Sequence, residues 1–269
     1  MTILHPEQLR LIEGNKFLGK EPTLINSQIN FHGKNNILIC EEGVVLQDSV
    51  LDFRADNSII YLSQSAIPYI VKIIAFSNSV CFIGRHNYFN EKLTLILSEE
   101  KNIIIGNHCC LSFGIWMRTA DPHLIYNIAD NQRINHSRSI YIGDHVWIGQ
   151  NAMILKGSSI HSGSVIGAMS LVAGKTIHSN SCWGGNPVRM LKENIAWSGE
   201  SVHHWTEATT RAWNMCDTEP MQFNHDDHAL NIAVLEQGFK DARNVVDKCQ
   251  YLLKHIVKNE NKNRFLWLR

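Results

Sequence analysis

Residues 140–183 read IYIGDHVWIGQNAMILKGSSIHSGSVIGAMSLVAGKTIHSNSCW, with an aliphatic residue at every sixth position: Ile142, Ile148, Ile154, Ile160, Ile166 and Val172. Four residues after each stands a small or β-branched one: Val146, Ala152, Ser158, Ser164, Ser170 and Thr176. A coiled coil needs a period of about 3.5 and an amphipathic helix about 3.6. Period six, rich in glycine and β-branched residues, fits neither. It fits a triangular prism in which each hexad supplies a short strand and a turn, so that three hexads close a coil of about 18 residues. The aliphatic position points inward and stacks on its equivalent one coil later. The small position sits at a corner, where bulk would collide. No coil is stable alone, and the stack forms one continuous core.

Toward the N-terminus the period blurs. Strand-like cores occur at Ile37-Leu38-Ile39, Ile59-Ile60-Tyr61, Val80-Cys81-Phe82-Ile83 and Ile103-Ile104-Ile105. The first three follow Asn-rich turns, Asn35-Asn36, Asn57-Ser58 and Asn78-Ser79, and the starts are 22, 21 and 23 residues apart. These read as coils with a few extra residues at a corner. The next core, Ile140-Tyr141-Ile142, begins 37 residues after Ile103, which exceeds one coil by about 19 residues. A loop therefore protrudes between about 117 and 138. Long loops in compact folds are usually functional or disordered, so this one is where chemistry is sought.

After residue 190 the pattern stops. Residues 193–215 are rich in Trp and His without a period. Over 226–257, Leu230, Val234, Phe239, Val245, Cys249, Leu252 and Ile256 belong to an apolar helical stripe, with charges opposite. One long helix is predicted there, with Asp226 and Asp227 at its N-terminus and Lys254 and Lys258 at its C-terminus. It would pack its stripe on the prism or on a sister subunit, and the terminal FLWLR could add a docking contact. Trp197, Trp205 and Trp213 could stack on sugar rings; sealing the helix onto the prism is the preferred reading. The expected organisation is mainly β: a lead-in over 1–34, a parallel β-helix over 35–190, and a C-terminal α-helical extension over 191–269.

Formal net charge is zero and 19% of residues are charged, so composition gives no nucleic-acid or membrane-surface footprint. No basic stretch followed by an apolar run opens the chain, and no 18-residue apolar segment occurs, so neither a signal peptide nor a membrane span is expected. The seven cysteines are scattered and lack CxxC spacing, which favours reduced thiols and a cytoplasmic location. Walker, GxGxxG and GxSxG motifs are absent.

The hexads, with VWIG at 146–149, IGAMS at 166–170 and GGNPVR at 184–189, resemble the hexapeptide-repeat acetyltransferases. That family includes galactoside, maltose and serine acetyltransferases and several polysaccharide O-acetyltransferases. The likeness is good over roughly 100–195, weak over 35–100, and absent from the last 70 residues. It implies a left-handed parallel β-helix, acetyl-CoA as co-substrate, a homotrimer, and active sites formed between two subunits. The long insertion with Arg118 and His123 resembles the polysaccharide-modifying branch, which implies a saccharide acceptor such as a capsule or O-antigen glycan.

In the family, a histidine on the loop before VWIG deprotonates the acceptor hydroxyl as it attacks the thioester. The matching string is Met117-Arg118-Thr119-Ala120-Asp121-Pro122-His123. Imidazole suits the task because its pKa lies near neutrality. Asp121 could orient the His123 ring or simply form a turn before Pro122. By matching motifs, Trp147 and Gln150 would line the pantetheine arm, Ala168 would offer backbone contacts, and Arg189 and Lys192 would meet the phosphates. Many relatives read TKD after the IGAGS-like segment; this chain reads Leu171-Val172-Ala173-Gly174-Lys175, so Lys175 is displaced by one or serves differently. Zinc-type histidine spacing is missing around His108, His123, His136 and His145, so no metal is expected. N-acetylation of an amino sugar and a non-catalytic β-helix scaffold remain as alternative readings.

Overall fold

Stacking of like on like builds the prism. Ile142 pairs with Ile160, Ile148 with Ile166 and Ile154 with Val172 in parallel register, and all six side chains are buried. Each such burial stabilises the stack by about 1.5–3 kcal/mol. This is a computed structural model, and it describes residues 1–216, 222–224, 226 and 228–266.

The fold is a left-handed parallel β-helix whose chain visits three walls in turn. In one coil, wall I is Ile140–Ile142, wall II Trp147–Ile148 and wall III Met153–Leu155. Wall I stacks eight strands, from Lys16–Gly19 to Thr176–Ile177. Wall III also holds eight, the first of which, Thr2–Ile3, caps the stack by pairing antiparallel with Gln28–Phe31. Wall II is split: Thr23–Ile25 pairs with Val45–Gln47, and a six-stranded sheet runs from Tyr88–Phe89 onward.

At the corners, Val146, Ala152, Ser158, Ser164 and Ser170 are no more than 1% exposed. Serine suits these positions because its hydroxyl satisfies carbonyls that the turn takes out of the ladder. Ser158 Oγ donates to the carbonyls of Leu155 and Val172, and Ser164 Oγ to that of His178. The sixth predicted corner residue, Thr176, departs from the pattern. It lies in the strand Thr176–Ile177, and Ile177 takes the interior, paired with Ile160. Gly174, at φ +59°, closes this turn with one residue fewer than a hexad.

Three boundaries also differ from expectation. The stack begins at Lys16, paired with Ile37, so most of the supposed lead-in is already coil. Parallel stacking ends at Ser181–Gly184, against which Arg189–Glu193 folds back antiparallel, so residue 190 falls inside a strand. The single helix predicted over 226–257 is in fact two helices and a wider final turn. Beyond α1 (Glu207–Ala212), the extension forms α2 (Ile232–Asp241), α3 (Val245–Leu252) and a π-turn over Leu253–Val257. Asn231 and Asn244 cut the helices, each side chain accepting two N–H groups of the turn that follows. Asp226 instead forms a local turn, its carboxylate accepting from the His228 N–H. Asp227, His225 and residues 267–269 of FLWLR lie outside the described residues.

The helices explain why the wall I strands are apolar on both faces. Leu235, Phe239, Val245, Cys249, Leu252 and Ile256 cover the outward side chains of Ile39, Tyr61, Phe82, Ile104 and Tyr141. Val234, expected in the stripe, is 62% exposed, and Leu235 is buried in its stead. Lys248, largely buried, donates from Nζ to the Asn78 carbonyl at 2.7 Å. Among the described residues no helix is long and apolar enough to cross a membrane.

Candidate active site

The insertion leaves the prism at Arg118 and returns at Ile140, at the corner between walls III and I. It is a hairpin with a buried root: Thr119, Asn135, Ser137 and Ser139 are at most 7% exposed, and Tyr126 bridges Arg133 near its tip. His123 stands exposed on the outgoing arm. Its backbone is fixed by Asn135, whose Nδ2 donates to the His123 carbonyl at 2.7 Å and to Asp121 Oδ2 at 3.1 Å. Lys156, from the next corner turn, donates to Asp121 Oδ2 at 2.5 Å and to the Asn135 carbonyl at 2.9 Å. The Lys156 hydrogen bond holds the Asp121 carboxyl below its ordinary range. The carboxylate therefore anchors the loop; its hydrogen bonds run to Lys156 and Asn135 rather than to the His123 ring.

A second clamp ties the returning arm down. Arg133 binds Glu99 through two N–H groups at 2.7 and 2.8 Å, and Ser137 Oγ donates to the same carboxylate. The Arg133 bonds, with help from Ser137, pull the Glu99 pKa down to about 2. Because the folded pKa is depressed, this tie is fully present above the unfolded value of about 4.3 and fades as pH falls through about 2. Amide exchange over residues 124–134 is expected to accelerate relative to the prism across that window. Glu99→Gln should give fast exchange there at every pH; an unchanged profile in the variant would remove Glu99 from this role.

The residues matched to the cofactor fall mainly on wall II and the corner that follows it. Trp147, 41% exposed, pairs with Val165, Val165 with Cys182, and Cys182 with Lys192. Three strand spacings of about 4.8 Å make a track of roughly 14 Å from the indole to the exposed lysine. Arg189 is exposed opposite Gly184 at the end of the same sheet. Gln150 and Ala168 are exposed at the corner from wall II to wall III, one coil apart, with the Met169 N–H donating to the Gln150 carbonyl. Lys175 is elsewhere. It is exposed at the wall III to wall I corner, the same corner as the Asp121–Lys156 tie. One chain thus brings His123, Asp121 and Lys175 to one corner and leaves Trp147, Gln150, Ala168, Arg189 and Lys192 across wall III from them.

The tryptophans divide. Trp197 stacks on His145 with ring centroids 4.0 Å apart and 6.0 Å from Trp147, sealing the extension onto the prism corner between walls I and II. Burial there lowers the His145 pKa. Trp205 and Trp213 pack on each other at 5.5 Å. Among the described residues no cluster of His, Cys, Asp or Glu could hold a metal ion.

Two anchors escaped the sequence reading. Lys156 follows a hexad as an ordinary surface lysine would, and nothing in the spacing ties it to a residue 35 positions earlier. Asn135 sits in a loop without periodicity. A polar residue buried at a loop root is recognisable only in three dimensions.

The prism thus carries a histidine-bearing insertion at the wall III to wall I corner and, on wall II, an exposed tryptophan in line with an exposed lysine. Residues 139–174 match the family described as bacterial transferase hexapeptide (six repeats). The polysialic acid O-acetyltransferase of Neisseria meningitidis is 28% identical over 207 residues, covering 76% of this chain and 85% of that protein. The polysialic acid O-acetyltransferase of Escherichia coli O1:K1 is 34% identical over 126 residues, 47% of this chain and 40% of that protein. Among solved structures, the polySia specific acetyltransferase NeuO superposes with a TM-score of 0.64 at 31% identity, over 74% of this chain and 93% of that one. The chain belongs to the hexapeptide-repeat acetyltransferases, in their polysaccharide O-acetyltransferase branch, and is an acyltransferase.

Proposed function

We propose that this chain transfers the acetyl group of acetyl-CoA to a hydroxyl of a glycan, with His123 as general base and polysialic acid as the leading candidate acceptor. The observation that carries the reading is the large insertion, on whose outgoing arm an exposed histidine is held through its backbone by a built network of Asp121, Asn135 and Lys156. The acceptor oxygen attacks the thioester carbonyl as His123 takes its proton. The tetrahedral adduct collapses with loss of the C–S bond, and the proton passes to the departing sulfur. No acyl-enzyme is needed. Trp147, Gln150 and Ala168 line the pantetheine arm, and Arg189 and Lys192 meet the phosphates; the roughly 14 Å track suits an extended arm ending in anions. Lys175 completes the groove from the opposite corner.

Because these groups lie across wall III from His123 in one chain, the complete site is proposed to form between two copies in a homotrimer. The hairpin supports this. Leu124, Ile125, Tyr126, Ile128 and Ile134 are all more than half exposed, an apolar tip that calls for a partner surface. An acceptor panel of polysialic acid, neutral glycans and amino sugars, read by mass spectrometry before and after mild base, tests the reaction. Base-labile acetyl on a saccharide is the expected result; only base-stable acetyl would turn the reading to N-acetylation.

A further inference from the structure

Beside the root of the insertion, a cleft of about 850 Å³ opens between the wall III to wall I corner and the start of α2. Its prism side carries Lys101 and Arg138, and its far side is Asn231, Ile232 and Ala233 of the extension. Arg138 lies three residues beyond Asn135, the anchor of His123, and its N–H donates to the Thr119 carbonyl. The cleft therefore shares its floor with the catalytic loop.

The placement of Arg138 is specific. Its guanidinium lies close against two glycines, Gly157 at φ +75° and Gly174 at φ +59°; a Cβ at the first would come within 2.6 Å of Nε, and at the second within 2.8 Å of Nη2. Any other residue at either position would push the guanidinium away. Yet the side chain is exposed and, among the described residues, has no carboxylate or other hydrogen-bond partner, in contrast to Arg133, Arg85 and Arg264, each paired with Asp or Glu. Lys101 at the same mouth has no ion-pair partner there either. Glu236 also borders the cleft, but its carboxylate accepts the Tyr141 hydroxyl. A planar cation given room by two glycines and left without an anion suits a planar anion brought from outside.

We infer that Arg138 is a specificity-determining residue that reads a carboxylate on the acceptor glycan, and that α2 of the C-terminal extension forms the far wall of the acceptor cleft. This deepens the functional reading above and rests on it. It also gives the extension a role besides covering wall I. Transfer is measured with polysialic acid and with polysialic acid whose carboxylates have been reduced to alcohols, on the wild type, Arg138→Ala and Ala233→Trp. The wild type is expected to show at least a tenfold higher KM for the reduced polymer. Arg138→Ala should raise the KM for the native polymer about tenfold, a loss of about 1.4 kcal/mol, and abolish the preference. Ala233→Trp, which narrows the cleft from the α2 side, should raise the KM for both polymers. The KM for acetyl-CoA should stay in place throughout. Equal use of both polymers by the wild type, or a shift in acetyl-CoA KM instead of acceptor KM in Arg138→Ala, overturns the assignment while leaving acetyl transfer intact. A wild type that acetylates no saccharide removes the functional reading itself.

Discussion

His123→Ala is expected to lower acetyl transfer by about two to four orders of magnitude while leaving CoA affinity near the wild-type value. An alcohol is a poor nucleophile until its proton leaves, and the base must be in place at the moment of attack. His123 is exposed, so the ring contributes little to packing, and its backbone is held by Asn135 rather than by its own side chain. The substitution should therefore leave the unfolding midpoint unchanged. Lys156→Met makes the informative comparison. It removes the cation that joins Asp121 to the Asn135 carbonyl, so the loop is loosened with the imidazole still present. A partial loss of kcat with an unchanged pH profile is expected there, because His123, the proposed base, is retained. Calorimetric CoA titration beside a thiol-release assay separates the effects. If His123→Ala keeps most of its rate, the base is elsewhere.

How much of this was readable beforehand depended on whether a residue's role repeats along the chain. The hexads were legible because the prism interior asks the same thing of Ile142, Ile148, Ile154 and their successors. The runs at Ile37–Cys40, Ile59–Leu62 and Val80–Ile83 were legible because α2 and α3 bury their outer faces as well. The first coil was missed for the converse reason. Lys16–Gly19 has no helix over it, Leu18 is 43% exposed, and the strand carries no apolar run. The insertion followed from coil arithmetic, and His123 from the family motif, but the partner of Asp121 did not. Its lysine lies one coil later, at a separation no local pattern encodes. The helix break at Asn244 carried a local signal, an asparagine suited to capping, which the long apolar stripe outweighed. Arg138 had no signal at all, since its distinction is the two glycines beneath it.

Arg264→Met is expected to destabilise the protein by about 3–5 kcal/mol, the cost of leaving one half of a buried ion pair alone. Arg264 is 3% exposed and spends nearly all its donors. Nε and Nη2 bind Asp144 at 2.9 and 2.7 Å, and Nη1 donates to the carbonyls of Ile256 and Asn259 at 3.0 and 2.7 Å. Asp144 sits at the wall I to wall II corner and also accepts the Asn107 N–H at 2.6 Å. The pair thus joins two coils of the prism to the end of the extension. With methionine, the Asp144 carboxylate stays buried and keeps only neutral donors, and two carbonyls at the end of the π-turn lose their partner. A solenoid is stabilised coil by coil through its neighbours, so the damage should not spread evenly. The extension is expected to come away first, with amide protection lost over Ile232–Ile256 while the coils around Ile154 and Ile166 keep theirs. Release of α2 and α3 would bare Ile39, Tyr61, Phe82 and Ile104, an apolar strip that should bind a hydrophobic dye below the main transition. Urea unfolding followed by dye fluorescence and hydrogen exchange reads both effects. A midpoint shift worth less than about 0.5 kcal/mol would put Arg264 among ordinary surface residues. Uniform loss of protection along all coils would mean the extension and the prism fold as one unit.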